Sequence, residues 1–161
     1  MQLIFRKAVR EDTPLILQFI RDLADYEELL HEVEATEETL EKSLFGEKAY
    51  AEVIFAVVDG TEAGFALFFH NFSTFLGKPG LYLEDLFVKP EYRKRGIGKA
   101  LMDYCIEVAR ERGCGRMEWW VLNWNPARRF YEQMGAEAMD EWVVYRLSGE
   151  IFEKGKADNR Q

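Results

Sequence analysis

Residues 81–98 read LYLEDLFVKPEYRKRGIG, and the order of features in this stretch decides the fold. Leu81 to Val88 is a strand: apolar side chains flank Glu84-Asp85, and Pro90, which has no N–H for a ladder, ends it. A helix follows from about Gly98 to Arg112, where Gly113 stops it. Between them lies Arg93-Lys94-Arg95-Gly96-Ile97-Gly98, an R-x-x-G-x-G run. Glycine there permits backbone conformations that a side chain forbids and lets a phosphate come close. Successive N–H groups and the positive end of the helix favour an anion. Arg93, Lys94, Arg95 and Lys99 add positive charge to a chain of formal charge -8. The expectation is a phosphate-bearing ligand; the alternative is an ordinary glycine turn with solvated cations.

Working upstream, Leu3 to Phe5 is a short strand, and Asp12 is placed to cap a helix opening at Thr13-Pro14. Ile16, Phe19, Ile20 and Leu23 follow at helical spacing. The acidic stretch YEELLHEVEA, residues 26–35, lacks a period and is expected to be a mobile loop. Thr36 opens a second helix toward Leu40 and Leu44, without a full capping box because Thr39 stands where Glu or Gln would complete it. Two strands at 50–58 and 63–70 flank Asp59-Gly60, a tight hairpin signal. Downstream come a strand at 116–122, a helix started by Asn125-Pro126 and closed by Gly135, and a last strand from Trp142 to Leu147. A further strand over Glu137 to Met139 is a possible addition. The expected order is β-α-α-β-β-β-α-β-α-β: one domain over 1–153, then a flexible tail at 154–161.

Composition agrees with one packed core, since 161 residues with 48% hydrophobic and 14% aromatic content suffice to offset ordering entropy. Lys plus Arg number 21 against 29 Asp plus Glu, which argues against a nucleic-acid partner and suits a cationic one. Cys105 and Cys114 fit neither a zinc set nor a disulfide framework, so no metal is expected, and both read as reduced thiols of a cytoplasmic protein. His31 and His70 have no ligand-like companions. The N-terminus does not read as a cleaved leader, and no apolar run is long enough to span a membrane.

With these residues in view, the chain resembles the GNAT superfamily of N-acetyltransferases, whose signature is a strand, a [QR]-x-x-G-x-[GA] loop and a helix. LFVKPEYRKRGIGKALMDY carries it. Within the superfamily the chain is similar to the spermidine/spermine and thialysine N-acetyltransferases through LADYEELL, LFGE, LYLEDLFV, RKRGIG and RFYEQMGA. The resemblance implies an α/β (α+β mixed) fold whose mixed, mostly antiparallel sheet is flanked by helices. It implies a V-shaped split between the fourth and fifth strands, where the pantetheine arm of acetyl-CoA replaces the missing strand contacts. It implies that Leu86, Phe87 and Val88 meet the thioester and pantetheine, and that Lys94, Arg95, Gly96, Ile97, Gly98 and Lys99 hold the pyrophosphate. Asn125, Pro126, Ala127 and Arg128 would complete the cofactor site. Relatives place one residue between Asn and Pro in W-N-x-P. Trp124-Asn125-Pro126 has none, so Asn125 is open to being a helix cap instead.

The resemblance also assigns Tyr131 the protonation of the departing CoA sulfur, a role a phenol can fill; the alternative is a packed aromatic pair with Phe130. Glu84 is the candidate base, because an alkyl ammonium of pKa about 10.4 must lose a proton before it attacks. Adjacent strand residues face opposite ways, so Glu84 and Asp85 share a cleft only if a bulge re-aims one, and the resemblance implies that bulge. Asp85, Tyr26 and Glu27 are candidate contacts for a cationic substrate, with Glu118, Trp119 and Trp120 beside them; solvated surface charge is the alternative for the acids. The stretch NFSTFLGKPG, residues 71–80, offers Ser73 where spermidine enzymes tend to carry an acid. The expected activity is direct transfer of acetyl from acetyl-CoA to a primary amine of a polyamine, diamine or lysine-like amino acid. Acetylation of a peptide or protein amine is the alternative within the class, and a non-catalytic CoA sensor the one outside it. A homodimer is expected, with the strand at 142–147 as a candidate interface.

Overall fold

The computed structural model describes residues 1–153, and the expected tail at 154–161 lies outside them. The chain divides into a unit spanning Met1–Leu122 and a second beginning at Asn123. The first holds β1 (Leu3–Lys7), α1 (Thr13–Tyr26), α2 (Glu37–Phe45), β2 (Glu52–Val58), β3 (Thr61–Ser73), β4 (Lys78–Val88), α3 (Ile97–Glu111) and β5 (Arg116–Trp119). Its mixed sheet has the order β1-β2-β3-β4-β5; the first four strands run antiparallel, and β5 lies parallel to β4. That last pairing covers only Gly80–Leu83 against Arg116–Trp119, after which β4 continues without β5. The expected split between fourth and fifth strands is this early end.

Each sheet face carries its own core. On one, Phe55, Val57, Phe65, Leu67 and Phe87 pack against Ile16 and Phe19 of α1 and Leu44 of α2. Phe19 stacks on Phe65 at 5.0 Å. The alternate residues Ile54, Ala56, Ala66, Phe68, Leu81 and Leu83 are also buried, as are Ile97, Leu101, Met102 and Cys105 of α3. A strand buried on both faces loses the hydrophobic-polar alternation, which is why β2 and β3 read as nearly continuous apolar runs. Each such large side chain contributes about 1.5–3 kcal/mol on burial. Among the described residues, no helix is long and apolar enough to cross a membrane.

Local chemistry follows the sequence at Asp59 and Gly60, whose φ values of 48° and 85° make the two-residue turn between β2 and β3. Elsewhere it departs. Thr39 does complete a capping box: its Oγ1 accepts from the Thr36 N–H at 2.9 Å, and Thr36 Oγ1 accepts from the Thr39 N–H at 3.1 Å. Asp12 precedes α1 but turns back, accepting from the Val9 N–H at 2.7 Å and from the Arg6 guanidinium at 2.8 and 2.9 Å. The segment after α1 is a loop that holds a 3-10 turn over Leu30–Glu32, and Glu28 N–H and Leu29 N–H donate to Asp25 and Ala24 carbonyls. The stretch at 71–80 belongs mostly to β3 and β4, joined by residues 74–77.

The second unit holds α4 (Ala127–Gln133) and α5 (Glu150–Glu153). The strand expected over Trp142 to Leu147 is absent, as is the one over Glu137 to Met139. A strand needs a neighbour to take its N–H and C=O groups, and the described residues of this unit contain no strand to pair with.

Gly64 marks a close crossing of β3, β4 and α3. A Cβ there would lie 2.7 Å from the Phe87 carbonyl oxygen and 3.3 Å from Leu101 Cδ1. Gly64→Ala should therefore destabilise the fold by about 1–3 kcal/mol, read as a lower urea midpoint at constant m value. An unchanged midpoint would show that β3, β4 and α3 have slack at this crossing.

Candidate active site

The register of β3 against β4 runs Phe68↔Leu83 and then Leu67↔Asp85, leaving Glu84 as an extra residue. This is a bulge, and it re-aims everything after it. In an unbroken strand Asp85 would share the face of Leu83, toward the α3 side. With Glu84 extruded, Asp85 shares the face of Tyr82, opposite Leu67 and beside the core residue Phe87. Glu84 itself is exposed and Asp85 half-buried. The two carboxylates thereby come together with Glu27, at the C-terminal end of α1.

The charges show how close they are. Burial, then Glu84, then Glu27 push the Asp85 carboxyl up to about 7. Burial and then Glu84 raise Glu27 as well. Burial, followed by Glu84, Glu118 and Asp85, holds the Tyr82 phenol well above its usual range, so Tyr82 keeps its proton among three acids. Tyr82 was not singled out from sequence; its signal was the i, i+2 spacing to Glu84, which an expected bulge made uninformative. Trp120 stands just beyond β5, exposed, with its ring edge-on to Tyr82 at 6.0 Å, while Trp119 is half-buried and pairs with Leu83. Glu118 lies opposite Tyr82 on β5. Tyr26, the last residue of α1, lies near Phe87, with the Arg93 guanidinium over both rings at 5.1 and 5.2 Å.

Beyond the bulge, β4 presents a polar edge that no strand among the described residues pairs. Lys89 N–H donates to Ala63 O at 2.8 Å, and this rung fixes the alternation. Phe87 therefore exchanges its bonds with Phe65, whereas the N–H and C=O of Leu86 and Val88 point away from β3. On that side β5 has already ended. Arg93 Nε donates to Val88 O at 3.0 Å, as this orientation requires.

The edge leads to the glycine turn. Lys94 and Gly96 adopt left-handed φ of 64° and 79°, and α3 closes its first bond from Ala100 N–H to Gly96 O at 3.0 Å. Among the described residues, the N–H groups of Lys94 through Lys99 donate to no acceptor in the chain. A Cβ on Gly98 would meet only Val88 Cγ2, at 3.8 Å, so nothing in the chain's own packing requires glycine there. A row of free donors, a helix N-terminus and a bare glycine together fit a pyrophosphate. Lys99 is paired with Asp103 at 2.8 Å, and the Arg95 guanidinium lies over Tyr92 at 5.4 Å.

In the second unit Asn125 makes a side-chain turn into α4: its Oδ1 accepts from the Ala127 N–H at 2.9 Å, and Pro126 stands at the cap position. Arg128 donates to the Asn123 carbonyl at 3.2 Å. Phe130 and Tyr131 lie on α4 with ring centroids 5.7 Å apart, and Tyr131 is half-buried. Among the described residues no group of three or more His, Cys, Asp or Glu could hold a metal ion.

Residues 16–136 match the Acetyltransferase (GNAT) family. The chain is 35% identical to thialysine N-epsilon-acetyltransferase of Bos taurus, over 92% of this chain and 94% of that one. It is 31% identical to an L-ornithine N5-acetyltransferase of Arabidopsis thaliana, over 92% of this chain and 85% of the relative. Among solved structures it is similar to an integron cassette protein from the mobile metagenome of V. cholerae, with a TM-score of 0.78, 29% identity and coverage of 96% and 97% of the two chains.

Asp85 makes the site visible in stability. Its folded value of about 7 exceeds the unfolded carboxylate range, so folding takes up a proton between the two. The contribution is full below the unfolded value of about 3.9 and is lost as pH rises through about 7. Asp85→Asn should raise Tm at pH 8 by about 5 °C, the shift that 1–2 kcal/mol gives a chain of this length, with no difference at pH 4. Equal melting at pH 8 would mean that Asp85 ionises freely.

Proposed function

Because the chain belongs to the GNAT acetyltransferase family and is an N-acetyltransferase, we propose that it moves the acetyl group of acetyl-CoA to the primary amine of a small cationic acceptor. The observation that carries this reading is the bulged β4. It joins a polar edge at Leu86 and Val88, unpaired by any strand among the described residues, to a cluster of carboxylates at Glu27, Glu84 and Asp85. The N–H row of Lys94 to Lys99 would hold the pyrophosphate of acetyl-CoA, and the Leu86–Val88 edge would bond its pantetheine amides as a neighbouring strand would. The thioester would then lie at the carboxylates.

The acceptor arrives as an ammonium and must be deprotonated. Glu84, the exposed residue of the bulge, takes that proton directly or through water, and Asp85 and Glu27 hold the cation. Asp85 is a second claimant for the base, because a pKa of about 7 suits proton transfer near neutral pH. The amine nitrogen bonds the carbonyl carbon, the C–S bond breaks, and Tyr131 returns a proton to the leaving sulfur. Thialysine and ornithine, named for the relatives, each end a short chain in a primary amine, which suits this cleft. The free thiols Cys105 and Cys114 suit a reducing compartment such as the cytoplasm.

Thiol release from acetyl-CoA should be measured over thialysine, ornithine, lysine, putrescine, spermidine and short peptides. Release with the small amines and not the peptides is expected. Release with peptides alone would move the acceptor to a peptide amine, and CoA binding without release from any amine would make the chain a sensor. Tyr131→Phe should lower kcat by about 100-fold while the KM for acetyl-CoA changes less than about twofold; unchanged turnover would remove Tyr131 as the acid.

A further inference from the structure

Across the sheet from the bulge, Asn71 of β3, Gly80 of β4 and Arg116 of β5 form one rung. The Asn71 side chain reaches over the middle strand, and its Nδ2 donates to Glu118 Oε1 at 3.2 Å. Strands lie about 4.8 Å apart, so this bond spans two strand spacings and needs clear space above β4. Gly80 provides it: a Cβ there would lie 2.3 Å from Asn71 Oδ1. Arg116 Nε meets the same carboxylate oxygen, Oε1, at 3.3 Å. Both restraints fall on one oxygen, and among the described residues Glu118 Oε2 accepts from nothing.

Asn71 Oδ1 is buried without a partner. Such a group costs stability that an apolar side chain would not forfeit. Turning the amide over would set Oδ1 against the Glu118 carboxylate, so the orientation is determined by that contact. Glu118 faces Tyr82, whose ring lies 5.0 Å from Phe69 and 6.0 Å from Trp120. From Tyr82 to Asp85 is three residues of strand, about 10 Å. Resting on the acetyltransferase reading above, we propose that Asn71 is a positioning residue, fixing Glu118 so that its free oxygen binds a second cationic centre of the acceptor. The reacting amine would lie at Glu84 and Asp85, with the methylenes between the two charges on the Tyr82 ring. Glu118 would then be the group that separates a diamine from a monoamine of the same length.

Steady-state kinetics with 1,5-diaminopentane and with pentylamine test this, since the two share a chain and differ in the second charge. The wild type should favour the diamine in kcat/KM by at least about tenfold. Asn71→Ala and Glu118→Gln should each raise the KM for the diamine about tenfold and the KM for pentylamine less than about twofold, and the double variant should be no worse than Glu118→Gln alone. Gly80→Ala, which pushes the amide away, should reproduce Asn71→Ala. If Gly80→Ala fails to fold, the other variants decide. Equal kcat/KM for the two amines in the wild type, parallel KM rises for both amines in Asn71→Ala, or additive effects in the double variant would each overturn the proposal. Absence of turnover with every amine would instead overturn the acetyltransferase reading itself.

Discussion

One extra residue in β4 sets the arrangement of the whole site. Because Glu84 has no partner on β3, the strand before it and the strand after it present opposite residue parities to the same face. Tyr82 and Asp85 therefore stand together, facing the end of α1, while the Leu83 and Leu86 side chains keep to the other face. Desolvation of Asp85 follows directly, since the bulge sets a carboxylate beside the core residues Leu67 and Phe87. An unbulged strand would bury Asp85 toward α3 and leave the acidic cluster without its centre.

The same strand explains why the cofactor reading and the acceptor reading meet at one place. β5 accompanies β4 only as far as Leu83, one residue before the bulge, so the paired half of β4 ends where the acids begin. Past that point Leu86 and Val88 offer backbone donors and acceptors outward, and Val88 leads through a short 3-10 turn to the free N–H row at Lys94–Lys99. A ligand with an amide-bearing arm and a pyrophosphate matches that sequence of groups in order. The acids match an amine cation.

Much of this was legible in the residues. The strand, glycine turn and helix over 81–112 stand as the spacing predicts, because Pro90, Gly96 and Gly113 are local signals that tertiary packing does not override. The hairpin at Asp59-Gly60 is local too. What escaped depends on partners distant in sequence. Thr39 closes a capping box with a hydroxyl in place of the usual carboxylate or amide, a substitution that only geometry reveals. Trp142 to Leu147 has the composition of a strand, but composition does not supply a neighbour. Asn71 and Glu118 are 47 residues apart, and their bond depends on a missing side chain at Gly80, a coincidence of register that no motif encodes. Asp85 shares a face with Tyr82 only through the bulge.

The central claim is that β4 past Glu84 carries an open polar edge that acetyl-CoA closes. Amide hydrogen exchange resolved at Leu86, Phe87 and Val88 tests it most directly. In the free protein Phe87 should be protected by its pairing with Phe65, and Leu86 and Val88 should exchange at least about tenfold faster. Adding acetyl-CoA should slow Leu86 and Val88 toward the rate of Phe87. Leu86 and Val88 as protected as Phe87 before the cofactor is added, or unchanged after it, would contradict the account.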